Sequence, residues 1–161
     1  MRPLGVLAGG AGWLSFAPGA AAFRRSLGDP AAVQSEILAS CLRKNAGTAF
    51  GRRFDFSSIR SVDEYRSRVP LSTYEGHAPW IDRIRAGEPG VLTGEPVLRL
   101  VPTSGSTRAA KLIPSTASLQ REFRRGIAPW LHDLYRARPK RAWGRAYWGI
   151  SPAVAWKDPA S

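Results

Sequence analysis

Two short β-type runs with a hydroxyl-rich turn between them constrain this chain more than any other feature. Val97-Leu98-Arg99-Leu100-Val101 and Lys111-Leu112-Ile113 read as strands, because apolar and β-branched residues suit a half-buried pleated surface. Between them lies Thr103-Ser104-Gly105-Ser106-Thr107-Arg108-Ala109-Ala110. From Ser115 or Thr116 a helical period begins. Leu119, Phe123, Ile127, Trp130, Leu131 and Leu134 fall within about 120° of one another, at ~100° per residue. Arg121, Arg124 and Arg125 fall on the opposite side, so they read as the solvated face of a packed helix. Pro129 is expected to kink it. Strand, loop, strand and long amphipathic helix point to an α/β domain.

The turn itself has the chemistry of an anion cradle. Gly105 lets the backbone approach a ligand closely, consecutive N–H groups form a concave trap, and the hydroxyls of Thr103, Ser104, Ser106 and Thr107 add donors. Lys111 adds a full positive charge. The run is not a Walker loop, because no Gly-Lys-Ser/Thr follows a second glycine and no helix follows directly. Read alone, it fits both a phosphate loop and a polar surface turn.

Upstream the punctuation is helical. Asp29-Pro30 opens a helix, with Asp as a cap and Pro in the first turn. Val33, Ile37, Leu38, Cys41 and Leu42 then share a face, which makes Cys41 a core residue rather than a nucleophile, and Gly47 can end the helix. Ser61-Val62-Asp63-Glu64 has capping-box spacing. Ser72-Thr73-Tyr74-Glu75 repeats it before a third helix that Gly87 closes. His77 lies on that helix with no evident partner, so a surface or packing role is expected. Arg138-Pro139-Lys140-Arg141 reads as a basic turn, and Arg145–Ile150 as a further buried strand.

Residues 1–28 form an N-terminal segment of their own. Its apolar stretch is broken by Pro3, Gly5, Gly9, Gly10, Gly12, Pro18 and Gly19. That is less continuous than the apolar region of a usual signal peptide, and too broken for a membrane span. A helix with Trp13, Leu14, Phe16 and Phe23 seeking a core is the expected alternative. One cysteine excludes an internal disulfide framework and a cysteine-based zinc cluster. Two histidines, His77 and His132, give no metal site. Twenty-four Lys and Arg against 12 Asp and Glu leave a charge of +12. That balance suits a nucleotide, and by itself also admits nucleic acid or an anionic surface.

Pieces of the chain also resemble, in order, the N-terminal part of the auxin-responsive promoter family, the Gretchen Hagen acyl-acid amido synthetases, and especially its bacterial members. The pieces are Thr48-Ala49-Phe50-Gly51, Val69-Pro70-Leu71-Ser72-Thr73-Tyr74-Glu75, Gly87-Glu88-Pro89-Gly90-Val91-Leu92-Thr93, and Thr103-Ser104-Gly105-Ser106-Thr107 running into Lys111-Leu112-Ile113-Pro114-Ser115-Thr116. Pro129-Trp130-Leu131 and Tyr147-Trp148-Gly149-Ile150-Ser151-Pro152 close the series.

The resemblance implies the N-terminal portion of an adenylate-forming fold over residues 29–161. It also implies ATP and Mg²⁺ as cofactors, a carboxylic acid and an amine as substrates, and a cytoplasmic setting. Thr103, Ser104, Gly105, Ser106, Thr107 and Lys111 would then hold the nucleotide's phosphates; no catalytic residue and no protein-held metal follow from it. Arg108 stands where the family often has glycine. The later adenine and ribose motifs and the mobile C-terminal domain are not in this sequence. The expectation is therefore a synthetase fragment, inactive alone, with no nucleic-acid partner and no stable membrane anchoring. A self-sufficient basic nucleotide- or nucleic-acid-binding domain, and one half of a split synthetase completed by a separate C-terminal half, are the alternatives.

Overall fold

The computed structural model describes residues 3–103 and 111–140, with side chains described from residue 14. The Ser104–Ala110 stretch and the strand expected at residues 145–150 lie outside the described residues, as does Arg141 of the basic turn. The chain divides into two compact units. The described part of one comprises residues 3–30 and 118–140, and the other comprises Ala31–Ala117.

The first unit is a pair of helices, α1 (Pro3–Ser26) and α6 (Ala117–Ala137). Ala20 is buried on α1, and Ala128, Pro129, Leu131 and His132 on α6. Small residues set the contact: a Cβ on Gly19 would lie 3.1 Å from the Ala128 Cβ. Arg24 binds the Asp133 carboxylate beside it. The helix continues across Pro129, as the expected period requires. Its apolar stripe is only partly covered. Leu131 is 6% exposed, but Phe123 is 69% and Trp130 58% exposed, and Leu119, Leu14 and Phe23 also face solvent. Arg121, Arg124 and Arg125 are exposed as the periodicity predicts.

The second unit runs α2 (Pro30–Asn45), α3 (Ala49–Arg53), a 3₁₀ turn at Phe56–Ser58, α4 (Val62–Arg68), α5 (Tyr74–Arg85), then strands β1 (Arg99–Pro102) and β2 (Leu112–Ser115). It carries a half-buried aromatic cluster beside its aliphatic core of Leu42, Ile59, Ile81 and Val91. The Phe50 ring meets Phe54 at 4.7 Å, Trp80 at 5.4 Å, His77 at 5.8 Å and Phe56 at 5.9 Å between centroids. His77 thus packs flat against Phe50, while its Nδ1 lies 3.0 Å from the Ser72 hydroxyl. Val91 is almost wholly buried.

Two of the sequence pieces interlock here. The free N–H groups at the start of α3 need acceptors, and the 90–91 backbone supplies them: Ala49 N–H to Gly90 O at 2.8 Å and Phe50 N–H to Val91 O at 3.0 Å. Gly90 takes φ +65°, a conformation glycine adopts without steric cost. Gly94 N–H then bonds the Asn45 side chain at 3.0 Å.

Several expectations are corrected. Cys41 is exposed, not core. The covered edge of α2 runs through Leu38, which is half-buried, and Leu42, which is buried. Ile37 and Cys41 lie about 100° around the helix from that edge. Gly47 is not a left-handed cap; α2 stops at Asn45, and Thr48 takes the Asn45 carbonyl.

The first capping box forms in half. Ser61 Oγ accepts from Glu64 N–H at 3.1 Å, while Glu64 reaches back to the Arg60 N–H at 2.7 Å, one residue before the cap. The second does not: α5 starts at Tyr74 with Thr73 as its cap residue, so Glu75 sits one place too early, and no side-chain cap bond forms. Gly87 does close α5, at φ +86°. Gly87 N–H bonds Ile84 O at 3.0 Å and Glu88 N–H bonds Arg83 O at 3.1 Å, the paired bonds of a Schellman ending.

Candidate functional site

The two strands pair antiparallel, Arg99 with Ser115 through Pro102 with Leu112. They start and stop one or two residues later than the apolar runs suggest. One further bond, Thr103 N–H to Lys111 O at 2.8 Å, closes the pair. The strand–loop–strand context expected around the hydroxyl-rich run therefore holds at both flanks. Thr103 and Lys111 stand at the two ends of the connection. Ser104, Gly105, Ser106 and Thr107 lie outside the described residues, as does Arg108.

Lys111 does not stand alone. The first turn of α5 comes up against it. Tyr74 Oη accepts the Leu112 N–H at 2.8 Å, which fixes the backbone one residue beyond the lysine. The Tyr74 ring lies 5.4 Å from Lys111 Nζ, within cation–π range. Glu75 Oε1 lies 3.9 Å from the same nitrogen. The Thr73 hydroxyl, Glu75's own backbone N–H and then Lys111 hold the Glu75 carboxyl below the usual carboxylate range. Lys111 is about half exposed, so its ammonium group is open to a second anion.

Reasoning from residue types alone singled out Lys111 but not the Tyr74–Glu75 pair that holds it. The signal was present, since both belong to the Val69–Glu75 piece. Nothing in its spacing showed that it would meet a residue 37 positions later.

Among the described residues no group of three His, Cys, Asp or Glu is placed to hold a metal, and no helix is long and apolar enough to cross a membrane.

Comparison with known proteins decides the family. Residues 19–151 match the GH3 family N-terminal domain. The chain belongs to the GH3 family. Among its relatives, the probable indole-3-acetic acid-amido synthetase GH3.7 of Oryza sativa subsp. japonica is 37% identical over 103 residues, covering 58% of this chain and 16% of that protein. The jasmonoyl–L-amino acid synthetase GH3.3 of the same species is 32% identical over 139 residues, covering 76% of this chain and 30% of that one. In structure, the GH3 chain resembles AtGH3.15 acyl acid amido synthetase in complex with 2,4-DB, with TM-score 0.54 and 33% identity over 63% of this chain and 18% of that one. The fold is thus the N-terminal part of the GH3 synthetase fold, mixed helix with a small sheet, as the sequence suggested. The chain spans less than a third of the length of these relatives.

Proposed function

We propose that this GH3 chain contributes the phosphate-holding part of an ATP-dependent acyl-acid amido synthetase. The observation that carries it is the hairpin: within a GH3 domain, it sets Thr103 and Lys111 at either end of a Ser/Thr/Gly run. The donor set fits a polyphosphate. Hydroxyls and backbone N–H groups suit its oxygens, and a half-exposed lysine suits its charge. ATP is a substrate here. Attack of a carboxylate on its α-phosphorus expels pyrophosphate, and an amine then takes the acyl group. Thr103, Ser104, Gly105, Ser106, Thr107 and Lys111 bind and orient the phosphates against the charge that develops there. Mg²⁺ would arrive with the nucleotide, neutralising the same charge.

Residues 29–161 would form the N-terminal fragment of the adenylating domain, working in the cytoplasm on a carboxylic acid and an amine. The partner that completes the site is the C-terminal part of a synthetase. By itself the chain binds nucleotide without activating acids, because reaction needs the carboxylate and the phosphorus held together.

Titration of the 161-residue chain with MgATP, followed by amide NMR, tests this. Shifts at Thr103, Lys111 and Leu112 that vanish in Lys111→Ala are expected, with no acid-dependent pyrophosphate exchange. Absence of shifts would overturn the phosphate-loop reading, and robust exchange would overturn the claim that the chain is inactive alone.

A further inference from the structure

Resting on the phosphate-loop reading, we infer that Glu75 is a placeholder anion, holding the Lys111 ammonium until a phosphate of the nucleotide takes it over, while Tyr74 is the positioning residue that keeps the lysine in place throughout. The three contacts of the α5 first turn differ in kind. Tyr74 grips the backbone, through the Leu112 N–H at 2.8 Å. That bond does not involve the lysine's charge and survives any change of partner at Nζ. The ring beneath the ammonium, 5.4 Å away, is likewise indifferent to which anion sits opposite. Of the three, only Glu75 offers Lys111 an opposite charge, at 3.9 Å and with 73% of its side chain exposed.

An ion pair this exposed is weak and exchangeable. A triphosphate presents more charge and more acceptor oxygens than one carboxylate, so it wins the competition for a lysine already in position. Release costs Glu75 little. Its carboxylate stays in the first turn of α5, at the helix end where negative charge is favoured. The arrangement keeps Lys111 paired until the nucleotide arrives, with its backbone already set for the phosphate.

The sign of the effect at Glu75 separates a placeholder from a purely structural residue. MgATP and, separately, inorganic triphosphate are titrated into the wild-type chain and into Glu75→Gln, Tyr74→Phe and Asp63→Asn. Glu75→Gln should bind both about twofold to fivefold more tightly, the range set by losing one exposed competing pair. The gain should shrink as salt rises. Asp63→Asn, which removes the same charge from α4, should show a smaller gain or none. Tyr74→Phe should bind more weakly, and its Leu112 amide should exchange faster with solvent.

Equal or weaker binding by Glu75→Gln, or an equal gain from Asp63→Asn, overturns the placeholder role while leaving the phosphate loop standing. An unchanged Leu112 amide in Tyr74→Phe overturns the positioning role. A wild-type chain that binds neither ligand overturns the underlying reading.

Discussion

The Thr48 hydroxyl accepts the Gly51 N–H at 2.9 Å and donates to the Asn45 carbonyl at 2.7 Å, so one oxygen atom ends α2 and begins α3. The residue is 2% exposed, and water cannot replace either bond. Thr48→Ala should therefore lower stability by about 1–2 kcal/mol, the upper part of the usual range for a lost helix cap. Thr48→Ser keeps the oxygen and should recover most of that. Urea unfolding followed by tryptophan fluorescence measures both; equal losses in the two variants would refute the capping account. Gly51 is constrained beside it. A Cβ there would stand 2.0 Å from the Asn45 carbonyl oxygen, closer than any side chain can pack. The sequence marked Thr48-Ala49-Phe50-Gly51 as one piece of a family pattern. It did not show why these residues are needed, because the reason depends on α2 stopping at Asn45, two residues before the glycine expected to stop it. Lys111 is the parallel case at the candidate site. Its type and place after a Ser/Thr/Gly run were legible, whereas its partners came from a helix distant in sequence.

At the scale of elements, local signals were read best where the chain's own neighbours supply the partner. The Ser61 cap, the Pro30 start of α2 and the Gly87 ending of α5 all formed where spacing placed them. Elements whose limits depend on distant packing moved: β1 begins at Arg99, where its register with Ser115 starts, and the Leu98 N–H still reaches the Ser115 carbonyl at 2.8 Å. The junction between α3 and the 3₁₀ turn was not legible at all. It hinges on Asp55, whose φ of 49° is left-handed, a region that Asp and Asn tolerate better than most residues. Its carboxylate accepts from Ser57 at 2.8 Å and also from Ser58, and pairs with Arg68 at 3.6 Å. Ser58 and then Ser57 hold the Asp55 carboxyl below its ordinary value of 3.8. A carboxyl with a lowered folded pKa stabilises the fold above its unfolded pKa, and that contribution is lost as pH falls through the folded one. Asp55→Asn keeps the backbone conformation and removes the charge. The stability gap between wild type and Asp55→Asn should stay constant from neutral pH down to about 4 and close below it. Unfolding curves taken across that range check this, and a gap that persists undiminished well into the acid would show that the carboxylate's charge is irrelevant to the turn.

The whole molecule carries a mismatch between its helical pattern and its burial. The stripe on α6 was legible from periodicity alone, and Leu131 and Ala128 are buried as such a stripe requires. Leu119, Phe123 and Trp130, on the same helix, are not covered, and Leu14 and Phe23 on α1 are exposed in the same unit. Periodicity reports which side of a helix seeks a core; how much of that side is covered depends on what packs there. The relatives named above are several times longer, so their domains have far more chain with which to cover such a face. Exposed aromatic and leucine side chains gathered on one small unit favour association, and the +12 charge opposes it only while salt is low. The purified 161-residue chain should therefore self-associate increasingly as ionic strength rises. Phe123→Gln with Trp130→Gln should reduce that association and leave helix content intact, since neither side chain contributes to the buried contact of α6. Size-exclusion chromatography with light scattering at low and moderate salt, alongside far-ultraviolet circular dichroism, measures each part. A wild-type chain that stays a monodisperse monomer as salt is raised would mean that this face is satisfied within the molecule.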